Sequence, residues 1–250
     1  MIEITNVTVS FGGVVALRDV SVAISDDVIC GIIGPNGAGK TTLFDVISGI
    51  QKPTAGTVSL DGQDLAGKGA LWRARHGVRR TFQRQQLFGT LSVADNVLVA
   101  NEWEGGHGGL VADLLSLPGR DKLEAGRRER VHDVLELCGI AELHDVPAGS
   151  LPIGIGRIVE FARALVAEPR VLLLDEPTSG LNDAESADLA DVIRKVSTER
   201  KCVVLLVEHD VAFVMALCRR IVMLEAGQVL VDGPADEVRH DPRARAAYIT

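Results

Sequence analysis

The residues with the clearest chemical potential form one glycine-rich stretch near the start of the chain. It reads Gly34-Pro35-Asn36-Gly37-Ala38-Gly39-Lys40-Thr41-Thr42 and fits the pattern G-x-x-x-x-G-K-[ST]. Glycines let backbone N–H groups turn inward onto phosphate oxygens, where a Cβ would obstruct them. A lysine in this position reaches the β- and γ-phosphates, and the hydroxyl that follows it ligates Mg²⁺. The stretch therefore predicts a nucleotide and Mg²⁺ site that depends on Lys40 and Thr41.

A strand must enter this loop and a helix must leave it. The apolar run 28–33 predicts the strand, and Gly49 predicts where the helix stops. The residues at helical spacing after the loop are Leu43, Phe44, Ile47 and Ile50. Such a helix presents its positive N-terminal end to the bound anion. The order strand, loop, helix is the context that the motif requires.

Two acidic residues follow a second buried run. Residues 171–174 are continuously apolar and end in Asp175 and Glu176, which is typical of a buried parallel strand with a site at its carboxyl end. Asp175 can hold Mg²⁺ through the water shell of the ion, and Glu176 can polarise an attacking water as a general base. The same form recurs at 202–207, which ends in Glu208-His209-Asp210. A helix-period stretch between the two runs completes a βαβ unit.

The remaining pattern predicts a second β layer and a helical insertion. Apolar residues alternate at 2–4, 20–24 and 58–60, which favours antiparallel strands beside the phosphate-binding core. Apolar runs on either side of Ala226-Gly227 predict a closing hairpin. We expect one α/β domain over residues 1–250, with a helical subdomain inserted at roughly 84–167. The cluster of arginines from Arg73 to Arg84 is interpreted as a solvated or partner-facing helix.

Composition excludes several classes of protein. The chain of 250 residues is 46% hydrophobic and carries a net charge of −8, so it lacks the basic footprint of a nucleic-acid binder. Its apolar runs are too short to span a bilayer, and its first residues do not resemble a signal peptide. We interpret the scattered cysteines as buried, reduced thiols and not as a disulfide or zinc framework. They are Cys30, Cys138, Cys202 and Cys218.

Together these motifs make the chain resemble the ATP-binding cassette (ABC) ATPases over nearly its whole length. The run 175–181, Asp-Glu-Pro-Thr-Ser-Gly-Leu, is similar to the Walker B and D-loop run of that family. The resemblance implies an α/β P-loop NTPase core with a mostly parallel sheet, an N-terminal antiparallel β layer and an inserted helical subdomain. It also implies three roles in ATP binding. Gln83 senses Mg²⁺ and the γ-phosphate, His209 contacts the γ-phosphate, and Phe11 stacks on adenine.

The resemblance can be narrowed to the ATPase subunits of branched-chain amino acid importers of the Liv type. The segments that carry it are Phe11 to Leu17, Arg79-Arg80-Thr81-Phe82-Gln83-Arg84, Val207 to Asp210, and Gly233 to Val238 with Asp241-Pro242 and Ala247-Tyr248-Ile249. One segment departs from the family. Its signature, which acts in trans on ATP bound to the other subunit, corresponds to Leu151-Pro152-Ile153-Gly154-Ile155.

Three residues depart from the usual pattern of the ABC ATPases at the signature and the D-loop. Pro152 removes a serine hydroxyl that ligates the γ-phosphate in the usual motif, although Liv-type subunits often carry proline there. Ile155 stands where Liv-type subunits usually keep glutamine. Gly154 still offers its backbone N–H at a helix start. Asn182 replaces the usual D-loop aspartate, as is common in Liv-type members.

The resemblance implies a cytoplasmic ATPase subunit, peripheral on the inner face of the membrane, that powers import of branched-chain or related amino acids. Its implied partners are membrane permeases and a second ATPase subunit, and the altered signature favours a heterodimer over a homodimer. No nucleic-acid partner is expected. Two alternatives stay open. One is a soluble ABC ATPase without a transport role, and the other is a regulatory nucleotide-binding subunit with low activity. An exporter of the same cassette type and the identity of the substrate also stay open.

Overall fold

The chain divides into two compact units in the computed structural model, which describes residues 1–25, 28–81, 86–100, 120–200 and 202–247. One unit comprises residues 1–83, 169–179 and 193–250, and we call it the larger unit. The other comprises residues 84–168 and 180–192, and we call it the smaller unit. The described helices are α1 (Lys40–Ser48), α2 (Ala70–Arg75), α3 (Val93–Val99), α4 (Arg120–Leu137), α5 (Ile153–Leu165), α6 (Asp183–Glu199), α7 (Val211–Leu217), α8 (Ala235–His240) and α9 (Pro242–Ala247).

The first sheet of the larger unit is antiparallel, as the alternating sequence pattern predicts. Its strands are β1 (Ile2–Phe11), β2 (Val14–Ile24), β4 (Ala55–Leu60) and β5 (Gln63–Asp64). They lie in the order β2-β1-β4-β5, and each neighbouring pair is antiparallel. The apolar side chains of β1 face inward at every second position, because successive side chains of a strand point to opposite faces. The turn predicted at Asp61-Gly62 joins β4 to β5.

The second sheet of the larger unit is mostly parallel and carries the ends of both predicted apolar runs. Its strands are β3 (Ile29–Ile33), β6 (Val78–Arg80), β7 (Val171–Asp175), β8 (Val203–Val207), β9 (Arg220–Glu225) and β10 (Gln228–Pro234). They lie in the order β10-β9-β3-β8-β7-β6, and only the β9–β10 pair is antiparallel. The predicted βαβ unit is confirmed as β7, α6 and β8, and the closing hairpin is confirmed as β9 and β10.

Helix α1 joins the two sheets of this unit into one apolar core. Leu43, Phe44 and Ile47 are fully buried and belong to the same cluster as inward residues of both sheets. Gly49 ends the helix in the left-handed region, with φ 79°, and its N–H donates to the Val46 carbonyl oxygen at 3.2 Å. The prediction that Ile50 extends the helical face is wrong, because Ile50 follows this cap and is 55% exposed.

The arginine cluster differs from the solvated or partner-facing helix that the sequence predicts. The helical part, α2, is short, and the chain then forms the edge strand β6 at Val78–Arg80. The guanidinium of Arg73 is buried and donates to the carbonyl oxygens of Val46 at 2.8 Å and Ile47 at 2.9 Å. These carbonyls lie at the C-terminal end of α1, where backbone acceptors lack the usual i+4 N–H donor of the helix. Arg73 is therefore a buried helix cap, and its desolvation, partly offset by Asp64, lowers its pKa.

The described part of the smaller unit is helical. Ser92 caps α3 by accepting the Asp95 N–H at 3.0 Å. Asn96, fully buried, accepts the Phe88 N–H at 2.9 Å and donates to the Phe88 carbonyl oxygen at 3.0 Å, which fixes the chain before α3. Among the helices that the structure describes, none is both long enough and apolar enough to cross a membrane.

Candidate functional site

The glycine-rich loop lies between β3 and α1 in the larger unit, as the motif predicts. Lys40 is buried, and its ammonium donates to the carbonyl oxygens of Gly34 at 2.7 Å and Pro35 at 3.1 Å. The lysine thus stabilises the curvature of the loop through the loop's own backbone. Desolvation lowers the pKa of Lys40, and the nearby Glu176 carboxylate partly opposes this by raising it. Thr41 is exposed on the first turn of α1.

Gly34 is required by packing as well as by phosphate access. A Cβ at this position would lie 2.1 Å from the carbonyl oxygen of Leu224, and φ is 144°. The β9–β10 turn also supports the loop, because Gly227 N–H donates to the Ala38 carbonyl oxygen at 3.1 Å. In turn, Arg18 N–H of β2 donates to the Gly227 carbonyl oxygen at 2.8 Å. Both sheets of the larger unit therefore hold the loop in place.

The two acidic residues at the end of β7 have different backbone conformations. Asp175 completes the strand, and its partner in the parallel register is Val207. Glu176 has φ 47°, in the left-handed region that non-glycine residues adopt at a cost of about 1–2 kcal/mol. Its N–H still donates to the Val207 carbonyl oxygen at 2.9 Å. Strain of this kind concentrates at functional sites, and here it turns Glu176 away from the alternation of the strand.

Glu176 and His209 come together across the ends of β7 and β8. His209 Nε2 lies 3.0 Å from Glu176 Oε1, and it donates to the carboxylate when it carries the proton. His209 follows β8 and is exposed, whereas Glu176 is partly buried. Because the two strands are parallel neighbours, their carboxyl ends meet at one edge of the sheet. The structure thus pairs two residues that the sequence singled out separately, in the same unit as the loop.

Glu208 is a site residue that sequence reasoning missed. Its buried carboxylate accepts the Thr178 N–H at 2.8 Å and the Thr178 hydroxyl at 2.6 Å through Oε1. Its other oxygen accepts the backbone N–H of His209 at 2.9 Å. Glu208 therefore ties the segment after Glu176 to the residue that carries the histidine. Its position as the first charged residue after an apolar run was the available signal.

The predicted signature lies in the smaller unit at the start of α5. Pro152 occupies the N-cap and provides no side-chain hydrogen bond there, while Leu151 is partly buried. Gly154 is buried, and a Cβ on it would lie 2.8 Å from Glu185 Oε1. Glu185 also accepts the Asn182 N–H at 3.0 Å, and its own N–H donates to Asn182 Oδ1 at 3.0 Å, which forms a reciprocal cap at the start of α6. Sequence reasoning missed this close approach of Glu185.

Two further predicted residues have different outcomes. Phe11 ends β1 beside the Gly12-Gly13 turn and is 50% exposed, and its stacking on adenine stays a prediction. Gln83 lies outside the described residues, so its predicted role stays a prediction.

Comparison with known proteins assigns the family. The family model described as ABC transporter matches residues 17–179, which include the loop, the Asp175-Glu176 pair and the signature region. This chain belongs to the ABC transporter family. The predicted family resemblance is confirmed, and the mostly parallel core beside an antiparallel sheet is the predicted cassette fold.

Full-length relatives of this cassette are known. The high-affinity branched-chain amino acid transport ATP-binding protein BraF of Pseudomonas aeruginosa is 36% identical over 249 residues, which cover 100% of this chain and 97% of that protein. The corresponding protein LivG of Escherichia coli is 35% identical with the same coverage. Both names agree with the subgroup that the motifs indicated.

Solved structures support the same cassette fold. A nucleotide-free ATP-binding cassette from an ABC transporter matches with a TM-score of 0.84 and 28% identity, over 100% of this chain and 99% of the other. An ATP-binding cassette of an ABC transporter in its ADP conformation matches with a TM-score of 0.85 and 27% identity, over 100% of this chain and 98% of the other.

The oxygen donors of the cassette suit a hard divalent cation. Asp175 supplies a carboxylate at the end of β7, and Thr41 supplies a hydroxyl on the first turn of α1. Mg²⁺ prefers oxygen ligands and commonly takes one or two from the protein, with the rest from water and phosphate. The donor set therefore fits Mg²⁺.

Proposed function

We propose that this chain is the ATP-hydrolysing subunit of an importer for branched-chain or related small amino acids. The single observation that carries the hydrolytic role is the Glu176–His209 pair, whose side chains meet at 3.0 Å in the unit that holds the Lys40 loop. The substrate class follows from the full-length relatives, which are named as branched-chain amino acid transport proteins. We propose one cassette over 1–250 with a helical subdomain at 84–167.

The reaction is hydrolysis of ATP by water to ADP and phosphate. The loop residues 34–42 bind the phosphates through backbone N–H groups, and Lys40 gives up its carbonyl partners to contact the β- and γ-phosphates. Phe11 stacks on the adenine ring. Glu176 accepts a proton from the attacking water. At the same time the oxygen of that water bonds to the γ-phosphorus, and the bond between the γ-phosphorus and the β–γ bridging oxygen breaks. His209 holds both the Glu176 carboxylate and the γ-phosphate, so positioning and electrostatics supply most of the catalysis.

Thr41 and Asp175 would hold Mg²⁺, with Gln83 as a further contact, and the ion supplies charge neutralisation at the phosphates when it is bound. The signature residues Leu151, Pro152 and Gly154 of this chain contact ATP that is bound to a second ATPase subunit, and the signature of that subunit contacts ATP bound here. Pro152 supports a heterodimer, because the N-cap of α5 has no side chain that can donate to phosphate. The membrane permeases and the cytoplasmic face of the membrane are the proposed partners and location.

The catalytic assignment is tested by Glu176→Gln in the assembled complex. We expect ATP binding to be retained and ATP turnover to fall by roughly a hundredfold or more, because a general base contributes that much. Asp183→Asn is the matched control, since Asp183 is an exposed carboxylate in the first turn of α6. Turnover that survives in Glu176→Gln and matches the control would overturn the assignment.

The transport assignment is tested by purifying the chain from gently solubilised native membranes and identifying its partners by mass spectrometry. We expect two permeases and a second ATPase subunit. Permeases without a second ATPase would establish a homodimer and overturn the proposed asymmetry. Recovery without any membrane protein would overturn the transport role in favour of the soluble ABC ATPase.

A further inference from the structure

Arg80 connects the two halves of the proposed phosphate and metal site. Its side chain, 8% exposed, extends from the end of β6. One guanidinium nitrogen, Nη2, lies 2.7 Å from Asp175 Oδ2, and the other, Nη1, lies 2.5 Å from Asp45 Oδ1. Asp45 belongs to α1, the helix that begins at Lys40, and Asp175 ends β7. The guanidinium of Arg80 therefore joins the helix that follows the loop to the carboxylate that is proposed to hold the metal.

The environment of Arg80 keeps it charged and in place. Burial by itself lowers the pKa of this guanidinium, but the hydrogen bonds to Asp175 and Asp45 outweigh it and raise the pKa above its usual value. The guanidinium carbon lies 5.7 Å from the centre of the Phe44 ring, which is fully buried. Asp175 is only 12% exposed and Asp45 30%, so solvent screens the three charges incompletely.

The charge of this triad determines what the site attracts. Two carboxylates and one guanidinium sum to −1, and without Arg80 the sum would be −2. A more negative site binds a divalent cation more tightly and repels a nucleotide that carries no cation. Arg80 also occupies one oxygen of Asp175, which restricts the orientation of the other.

We propose that Arg80 is a positioning residue that sets the affinities of this site for a divalent cation and for the anionic nucleotide in opposite directions. The inference rests on the proposed nucleotide site. By compensating Asp45 and Asp175, Arg80 lowers the electrostatic repulsion that the phosphate chain meets at this site. It also weakens binding of the cation to the empty loop, so that cation and nucleotide bind together.

Two binding measurements on the isolated subunit test this. Mn²⁺ without nucleotide is titrated by electron paramagnetic resonance, and ATP is titrated calorimetrically in excess EDTA. For Arg80→Gln we expect Mn²⁺ affinity to rise and metal-free ATP affinity to fall, each by about tenfold, the order expected when a unit charge is removed at close range from a partly buried site. A residue that only stabilises the fold would lower both affinities together.

Asp45→Asn is the matched variant, because it changes the net charge of the triad in the opposite direction. It removes one negative charge and leaves an amide oxygen that can still accept from Arg80, so Mn²⁺ affinity should fall and metal-free ATP affinity should rise. The double variant Arg80→Gln/Asp45→Asn has a triad charge of −1 again, and both affinities should return towards those of the wild type. If Arg80→Gln does not fold, the reversed shifts in Asp45→Asn decide the proposal.

The outcomes separate this inference from the proposed function. Wild-type protein that binds no ATP even with Mg²⁺ would contradict the proposed function itself. Wild-type binding with variant affinities that stay unchanged, or that move in the same direction, would overturn only the role of Arg80.

Discussion

The buried carboxylate of Glu208 gives the most direct test of how this site is built. We consider the change Glu208→Gln, which preserves the size of the side chain. One oxygen remains to accept from Thr178, but the other becomes an NH₂ group that faces the backbone N–H of His209, 2.9 Å away in the wild type. Two donors then face each other. The position is buried, since Glu208 is 3% exposed, so water does not separate them.

The magnitude follows from the contacts that are lost. A hydrogen bond to a charged acceptor contributes about 1.5–3 kcal/mol, and a buried donor without an acceptor costs about 1–3 kcal/mol. Removing a buried charge offsets part of this, because an ionised group is costly to bury. We expect the free energy of unfolding to fall by about 2–4 kcal/mol, since the two contributions exceed the relief. We also expect ATP turnover to fall by about tenfold, as His209 loses the hydrogen bond that fixes its backbone.

The assay is urea unfolding at neutral pH followed by far-UV circular dichroism, with turnover measured on the assembled complex. Glu225→Gln is the control, because Glu225 is an exposed carboxylate at the end of β9 in the same unit. Thr178→Val is the partner variant. If Glu208 acts through Thr178, the effects of the two substitutions will not add. A free energy of unfolding for Glu208→Gln within about 0.5 kcal/mol of the control would refute the reasoning.

Three further predictions concern other parts of the chain. Lys40→Ala should abolish ATP binding measured by calorimetry, and retained affinity would contradict the loop assignment. Gly154→Ala places a Cβ 2.8 Å from Glu185 Oε1, so the Glu185 side chain must shift from its contact with the Asn182 N–H. Turnover of the assembled complex should fall and should partly recover in Gly154→Ala/Glu185→Ser. Wild-type turnover in the single variant would contradict this. The Arg243 hydrogen bonds lower the pKa of Asp241 to about 2. The stabilisation from this contact is therefore fully present at a pH above the ordinary pKa of aspartate, and it is lost as the pH falls towards 2. An NMR titration of Asp241 with a midpoint of about 4, the pKa of an unpaired aspartate, would refute this.

Much of the fold was predictable because its signals are local. The loop motif, the apolar runs before Asp175 and Glu208, and the alternating pattern of β1 each lie within a dozen residues. Strand and helix periods are set by backbone geometry, so a short segment is enough to express them. The same locality explains why short motifs alone were enough to indicate the family and its subgroup.

The short edge strand β6 had no such signal. It contains only Val78, Arg79 and Arg80, so neither alternation nor an apolar run could develop. The arginines suggested a solvated helix, because a charged side chain is usually exposed. Arg73 is instead buried, since the carbonyl oxygens at the end of α1 need donors.

What only the tertiary structure decided is the set of partners around the site. Arg80 and Asp175 are 95 residues apart in sequence, and Glu208 and Thr178 are 30 apart. Gly34 must be glycine partly because the Leu224 carbonyl oxygen of another strand lies where its Cβ would be. The sequence by itself determined which residue types could bind phosphate, hold a cation and activate water. Their orientation and charge balance depend on neighbours brought by the sheet order, because hydrogen bonds and Coulomb interactions act over a few ångströms of space and not along the chain.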